Sequence, residues 1–142
     1  MKRVVMDAQP KYPWRLDTNE RYREVVRTLM GLATASLLLP VFFAREFLGI
    51  TSTKPLNAVF SSGVYWSWLF LALTIFAGVL FHFLSAKWVR MAWDQDASVF
   101  GIAASENCIE RLLEVSLWAT VLAFAAGLAL VVVFFVTYEA RP

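Results

Sequence analysis

"SLWATVLAFAAGLALVVVFF", residues 116–135, contains no charge and no proline. A helix needs about 20 apolar residues to cross the hydrocarbon core of a bilayer, and this stretch supplies them. At about 100° per residue, its small side chains gather on one side. These are Ser116, Ala119, Thr120, Ala123, Ala126 and Gly127, while Trp118, Val121, Leu122, Leu128 and Val132 lie towards the other. Small residues let backbones approach closely. The stretch therefore predicts a membrane helix whose narrow face meets another helix, a second copy of the chain, or water.

Working outward, the chain has 142 residues and is 59% hydrophobic, which fits one domain and is high for a soluble one. Its uncharged runs are residues 28–44, 55–86 (with one histidine) and 115–138. The second and third are long enough to span outright. The first has only 17 positions, but Val25, Val26, Phe47 and Leu48 extend it while Arg27 and Arg45 snorkel outwards. It does not read as a cleaved signal. Four acids precede it, it contains Pro40, and "VFFAREF" has no small-x-small site. The predicted fold is an all-α integral membrane protein with three transmembrane helices and cytoplasmic helical extensions.

The expected organisation starts with a basic and aromatic cytoplasmic tail over 1–17 and helix 1 over 18–48, its membrane part near 25–47. An external loop over 49–62 leads to helix 2 over 63–93, with its membrane part near 64–86. A cytoplasmic helical hairpin over 87–113, helix 3 over 114–138 and an external tail over 139–142 complete the chain. Asp17 with Glu20 has the spacing of a capping box, and Glu20–Arg23 and Glu24–Arg27 have that of helical ion pairs. Pro40 should kink helix 1. Lys54-Pro55 marks a turn, a break is expected around Asp94 to Gly101, and Ser105 can cap the restart.

Ten of the thirteen Lys and Arg fall on the side of the amino-terminal tail and the 87–113 segment. Basic residues are retained in the cytoplasm, which places the amino terminus inside and the carboxyl terminus outside. Tyr65, Trp66, Trp68 and Tyr138 would form the outer aromatic belt, and Trp14, Trp88, Trp93 and Trp118 the inner one.

Helix 2 carries a second small face, Ser67, Thr74, Gly78 and Ser85, and helix 1 a shorter one at Thr28, Gly31 and Ala35. Either these faces pack the helices of one protomer or they join copies around a lumen. Their number points to a homo-oligomer, since three helices alone enclose no aqueous path and a pore needs several subunits about an axis.

His82 is the one titratable group deep in an apolar run. It reads either as a pH-sensitive gate or as a neutral imidazole bonded to Ser85 or a carbonyl. Glu106, Glu110 and Glu114 recur every fourth residue, as a carboxylate ring at a pore mouth or as a solvated face partnered by Arg111 and the tail arginines. "PKYPWRLDTNERYRE" interleaves Lys11, Trp14, Arg15 and Arg23 ahead of Arg27. Such a mixture holds anionic lipid, or a nucleotide or oligonucleotide. Asp94-Gln95-Asp96 is an isolated D-x-D. Cys108 reads as a small buried or interfacial residue, and as the sole cysteine it excludes an internal disulfide. With one histidine as well, a metal site is not expected. No phosphate loop, nucleophile triad or haem ligand pair is present, so neither catalytic residues nor cofactors are expected.

In outline the chain resembles the compact multi-span subunits that assemble into channels. That class includes membrane effectors of bacterial anti-phage systems, in which a soluble signal opens a pore. The resemblance carries no residue motif. It implies a homo-oligomeric channel or pore in the cell inner membrane, gated by a cytoplasmic ligand or partner. Ser67, Thr74 and Gly78, or Ser116, Thr120 and Ala123, would line its path, and bilayer, ions and further copies of the chain would be its partners. The alternative is a non-conducting membrane adaptor or assembly subunit that recruits a soluble protein.

Overall fold

A computed structural model of the chain describes residues 12–46, 62–93, 98–99, 102–103 and 105–139. The expectations for Lys11, the loop around Lys54-Pro55, Asp94 to Asp96 and the final residues lie outside them, as does the Tyr138 side chain. Three long helices make the fold: α1 (Pro13–Glu46), α2 (Ser62–Ala92) and α3 (Glu106–Glu139). Between α2 and α3 sits a minimal antiparallel pair, β1 (Ser98–Val99) and β2 (Ile102–Ala103), with Val99 opposite Ile102. The sequence pattern predicts a break around Asp94 to Gly101 but did not announce this pair of strands.

α1 begins five residues earlier than its capping pattern predicts. Pro13 occupies the first helical position, where a preset φ and a missing N–H cost nothing, and the Arg15 N–H donates to the Tyr12 carbonyl at 3.1 Å. Asp17 consequently lies inside the helix and caps nothing. Its carboxylate accepts from Arg21 Nε at 3.2 Å instead. The expected Glu20–Arg23 and Glu24–Arg27 pairs are not formed. Among the described residues the ion pairs are Arg21–Asp17 and Arg15–Glu110. α1 remains helical through Pro40 as far as Glu46. Ser105 stands just ahead of α3, its carbonyl accepting from the N–H of Cys108 and of Ile109 at 3.0 and 3.2 Å.

The helices run up, down and up. α2 packs most extensively against α3, α1 leans on α2, and α1 touches α3 least. A lower core joins Val26 to Phe81, Leu84, Trp88, Ile109 and Leu113, and an upper one joins Ala33, Leu71 and Val131. The small faces answer the question raised by residues 116–135. Ser116, Thr120, Ala123 and Gly127 are all buried, as are Ser67, Thr74, Gly78 and Ser85 of α2. A Cβ on Gly127 would stand 2.9 Å from Leu71 Cγ and 3.2 Å from the Leu71 backbone nitrogen. One on Gly78 would meet the Met30 side chain at 2.6 Å. These faces therefore mate helices of one protomer. Their hydroxyls are satisfied locally: Ser67, Thr74, Ser116 and Thr120 donate to carbonyls three or four residues back, at 2.7 to 2.9 Å.

Bulk faces outwards. Leu69, Leu73, Phe76 and Val79 of α2 and Leu122, Val132, Val133 and Val136 of α3 are exposed. α2 and α3 are long and apolar enough to cross a membrane, yet only 39% and 28% of their most apolar windows is buried. The central helix of a soluble domain would bury most of that surface. α1 is more polar, because charge fills its first half from Arg15 to Arg27. That charged half, the Lys87–Arg90 turn of α2 and the Glu106–Glu114 turns of α3 lie together at one end of the bundle, here termed the charged pole.

Candidate functional site: a groove at the charged pole

The charged pole is organised around a single carboxylate oxygen. Arg15 Nη1 of α1 donates to Glu110 Oε1 at 2.7 Å, and Trp88 Nε1 of α2 donates to the same atom at 3.3 Å. All three helices therefore converge on one residue of α3. Arg15 is further held over the Tyr12 and Trp14 rings, at 4.6 and 5.3 Å from their centroids. Both charged side chains are about one-third exposed (34% and 38%). Such a pair contributes roughly 0.2–1 kcal/mol, so it directs the helices more than it stabilises them.

One helical turn further along α1, Asn19 is buried against α2. Its Nδ2 donates to Ser85 Oγ at 2.8 Å, and the Ser85 hydroxyl lies 3.1 Å from Asn19 Oδ1. This link was missed at the sequence level, where Asn19 was given no role. It also removes Ser85 from the partners expected for His82, because the Ser85 hydroxyl is bonded to Asn19 and not to the imidazole. His82 is half-buried and meets Phe81 edge-on, with ring centroids 6.1 Å apart.

The Asn19–Ser85 bond and the approach of Met30 to Gly78 fix the register of α1 on α2. The Trp88–Glu110 bond and the Leu71–Gly127 contact fix that of α2 on α3. Because α1 and α3 diverge here, a groove of about 640 Å³ opens between them, with Phe81, Trp88 and Leu113 as its floor. One wall carries Trp14, Tyr22 and Val25, the other Glu114, Leu117, Trp118 and Val121, and Arg15 and Glu110 stand at the mouth.

Of the residues singled out by sequence, the groove collects Trp14, Arg15, Glu110 and Glu114. Arg23 and Arg27 are exposed outside its lining, and Glu106 is half-buried in the first turn of α3, where a carboxylate suits the helix dipole. Trp14, Trp93 and Trp118 are exposed as interfacial anchors would be, but Trp88 is buried in the lower core and is not a belt residue. At the other end Tyr65 and Trp66 are exposed, and Tyr65 stands edge-on to Trp68 at 5.8 Å. Cys108 is exposed, which sets aside the buried one of the two positions expected of it. In comparisons with known protein families, curated proteins and solved structures, the chain matches none.

Proposed function

We propose that the chain is a three-span inner-membrane protein, amino terminus in the cytoplasm, that acts as a non-conducting adaptor or assembly subunit through its charged pole. Register supports the third span. The 17 uncharged residues from Thr28 to Ala44 extend about 26 Å and lie alongside the apolar lengths of α2 and α3, so a bilayer enclosing those two also encloses α1. The basic excess at the charged pole supports the orientation.

The observation that carries the non-conducting reading is the burial of the hydroxyl faces. Ser67, Thr74 and Thr120 have no exposure at all, and Ser116 has 4%. They cannot line a path unless α2 and α3 separate, whereas the pole presents an open groove and exposed aromatic and basic side chains for a soluble partner. A homo-oligomeric channel is the second reading, favoured by one feature. Gly31 has no atom within 4 Å of where its Cβ would stand, and Thr28 and Ala35 beside it are exposed. Any conduit or contact between copies in that reading belongs to this face of α1.

Mass measurement in mild detergent, followed by planar-bilayer recording of the same material, separates the two. The adaptor reading expects a monomer or small assembly without conductance. A ring of subunits passing ions at any voltage or pH would replace it with the channel. Orientation is tested by the sole cysteine. An impermeant maleimide should label Cys108 in inside-out vesicles and fail to label it in right-side-out ones.

A further inference from the structure

The lining of the groove between α1 and α3 is chemically one-sided. It carries one cation, Arg15, and two carboxylates, Glu110 and Glu114, so its net charge is negative. Arg15 is bound to Glu110 and held over two aromatic rings. Further donors of the lining are taken as well. Trp88 donates to Glu110, Asn19 to Ser85, and the Thr18 hydroxyl to the Trp14 carbonyl at 3.0 Å. The Glu114 carboxylate has neither an ion pair nor a hydrogen bond among the described residues, so the uncommitted charge of the groove is negative. Counted up the two parallel helices from the Arg15–Glu110 pair, Glu114 stands level with Thr18 and Asn19. Tyr22 and Trp118 lie about 6 Å above it, one helical turn, and Trp14 lies below it. The carboxylate thus sits between aromatic side chains, beside a floor of Phe81 and Leu113.

We propose that this groove binds a lipophilic organic cation, one whose charge is shielded on all sides by aromatic or alkyl groups. Its charge lies against Glu114 among the Trp14, Tyr22 and Trp118 rings, and its apolar groups rest on Phe81, Leu117 and Val121. Aromatic faces attract a cation through the ring quadrupole, more strongly where water is excluded. An anion is disfavoured, because the lining is negative and its cation is already paired. A hard metal ion is disfavoured too. Calcium takes six to eight oxygen ligands, whereas one free carboxylate here faces aromatic and apolar walls, and no metal-holding group of three acidic, His or Cys side chains occurs among the described residues. The cost of desolvating a charge falls as the ion grows, which favours a bulky cation in such a lining. The volume of about 640 Å³ falls within the roughly 300–1,000 Å³ typical of small-ligand sites. The inference needs only the groove and stands apart from the adaptor and channel readings.

Equilibrium dialysis of radiolabelled tetraphenylphosphonium against the purified full chain in mild detergent, with empty micelles as background, tests the site. Saturable uptake is expected, and tetraphenylborate, alike in size and shape but opposite in charge, should show none. Glu114→Gln should weaken cation binding roughly tenfold, the scale of one charge-assisted contact. Trp118→Ala should weaken it about two- to fivefold, and Glu106→Gln, outside the groove, should leave it unchanged. Circular dichroism checks the helix content of each variant. If Glu114→Gln misfolds, Trp118→Ala and the comparison of the two ions decide alone. Absence of saturable uptake, equal retention of both ions, or an affinity indifferent to Glu114 overturns the proposal. Uptake in detergent that is lost in phosphatidylcholine nanodiscs overturns it in favour of lipid as the occupant. Uptake that falls as the detergent complex grows in mass overturns it in favour of a second copy. Loss of the cation site leaves the adaptor reading standing, since conductance tests that separately.

Discussion

The bundle holds its helices together in two different ways. α2 and α3 meet through small residues at close range, with Gly127 against Leu71 and Ser116, Thr120 and Ala123 buried along the same seam. α1 meets the pair through polar ties near its start, Arg15 to Glu110 and Asn19 to Ser85, and through Met30 over Gly78. The first contact is continuous and depends on shape. The second depends on a few bonds, diverges from α3, and leaves the groove open. Membrane association favours the first where backbones can approach, since lipid supplies no hydrophobic drive between helices. The second places the adjustable part of the molecule at the charged pole.

The largest expected effect comes from breaking the close seam. Gly127→Leu puts side-chain atoms into the Leu71 backbone and should destabilise the protomer by about 3 kcal/mol or more, overpacking that no rotamer relieves. Thermal or denaturant unfolding in detergent measures it. The same change at Gly78 should cost less, because the obstructing atoms belong to the flexible Met30 side chain.

Next comes the buried polar tie. Asn19→Ala leaves the Ser85 hydroxyl enclosed without its partner and should cost about 1–3 kcal/mol, whereas Asn19→Ala with Ser85→Ala should recover part of the loss. A double-mutant cycle reads the difference. A coupling of zero would mean that α1 does not rest on α2 through this bond.

Arg15→Ala should matter less to stability, about 0.2–1 kcal/mol, because the pair is partly exposed. Raised salt should shrink that difference while leaving the Gly127 effect unchanged, which separates the two kinds of contact by their physics. Gly31→Leu should be near neutral for the protomer, since open space surrounds that position. If it changes the mass of the detergent complex without lowering stability, copies join through α1.

The contrast between the two interfaces also explains what could be read from the chain. The three helices and the small faces are periodic and long, so hydropathy and spacing revealed them. Which surface each face meets could not be read, because an alanine–glycine stripe looks the same towards a neighbour in the protomer as towards another copy. The polar ties were hidden for a different reason. Asn19 and Ser85 lie 66 residues apart and Trp88 and Glu110 lie 22 apart, and neither spacing nor composition marks such pairs. The start of α1 was misplaced because Asp17 and Glu20 have the spacing of a cap, while the stronger local restraint was Pro13. The groove could not be foreseen at all. It follows from the divergence of α1 and α3, a tertiary fact set by registers that only the assembled helices define.

The claim on which the rest depends is that the small faces of α2 and α3 close on each other within a single chain. Cysteines at Leu71 and Gly127, introduced together in a chain carrying Cys108→Ser, test it directly under mild oxidation in the membrane. The expected result is a disulfide inside one chain that leaves the protein at monomer size and forms equally well when the chain is diluted with cysteine-free copies. A product at dimer size that disappears on dilution, with no internal bond, would show that these faces join separate copies and would contradict the fold's central seam.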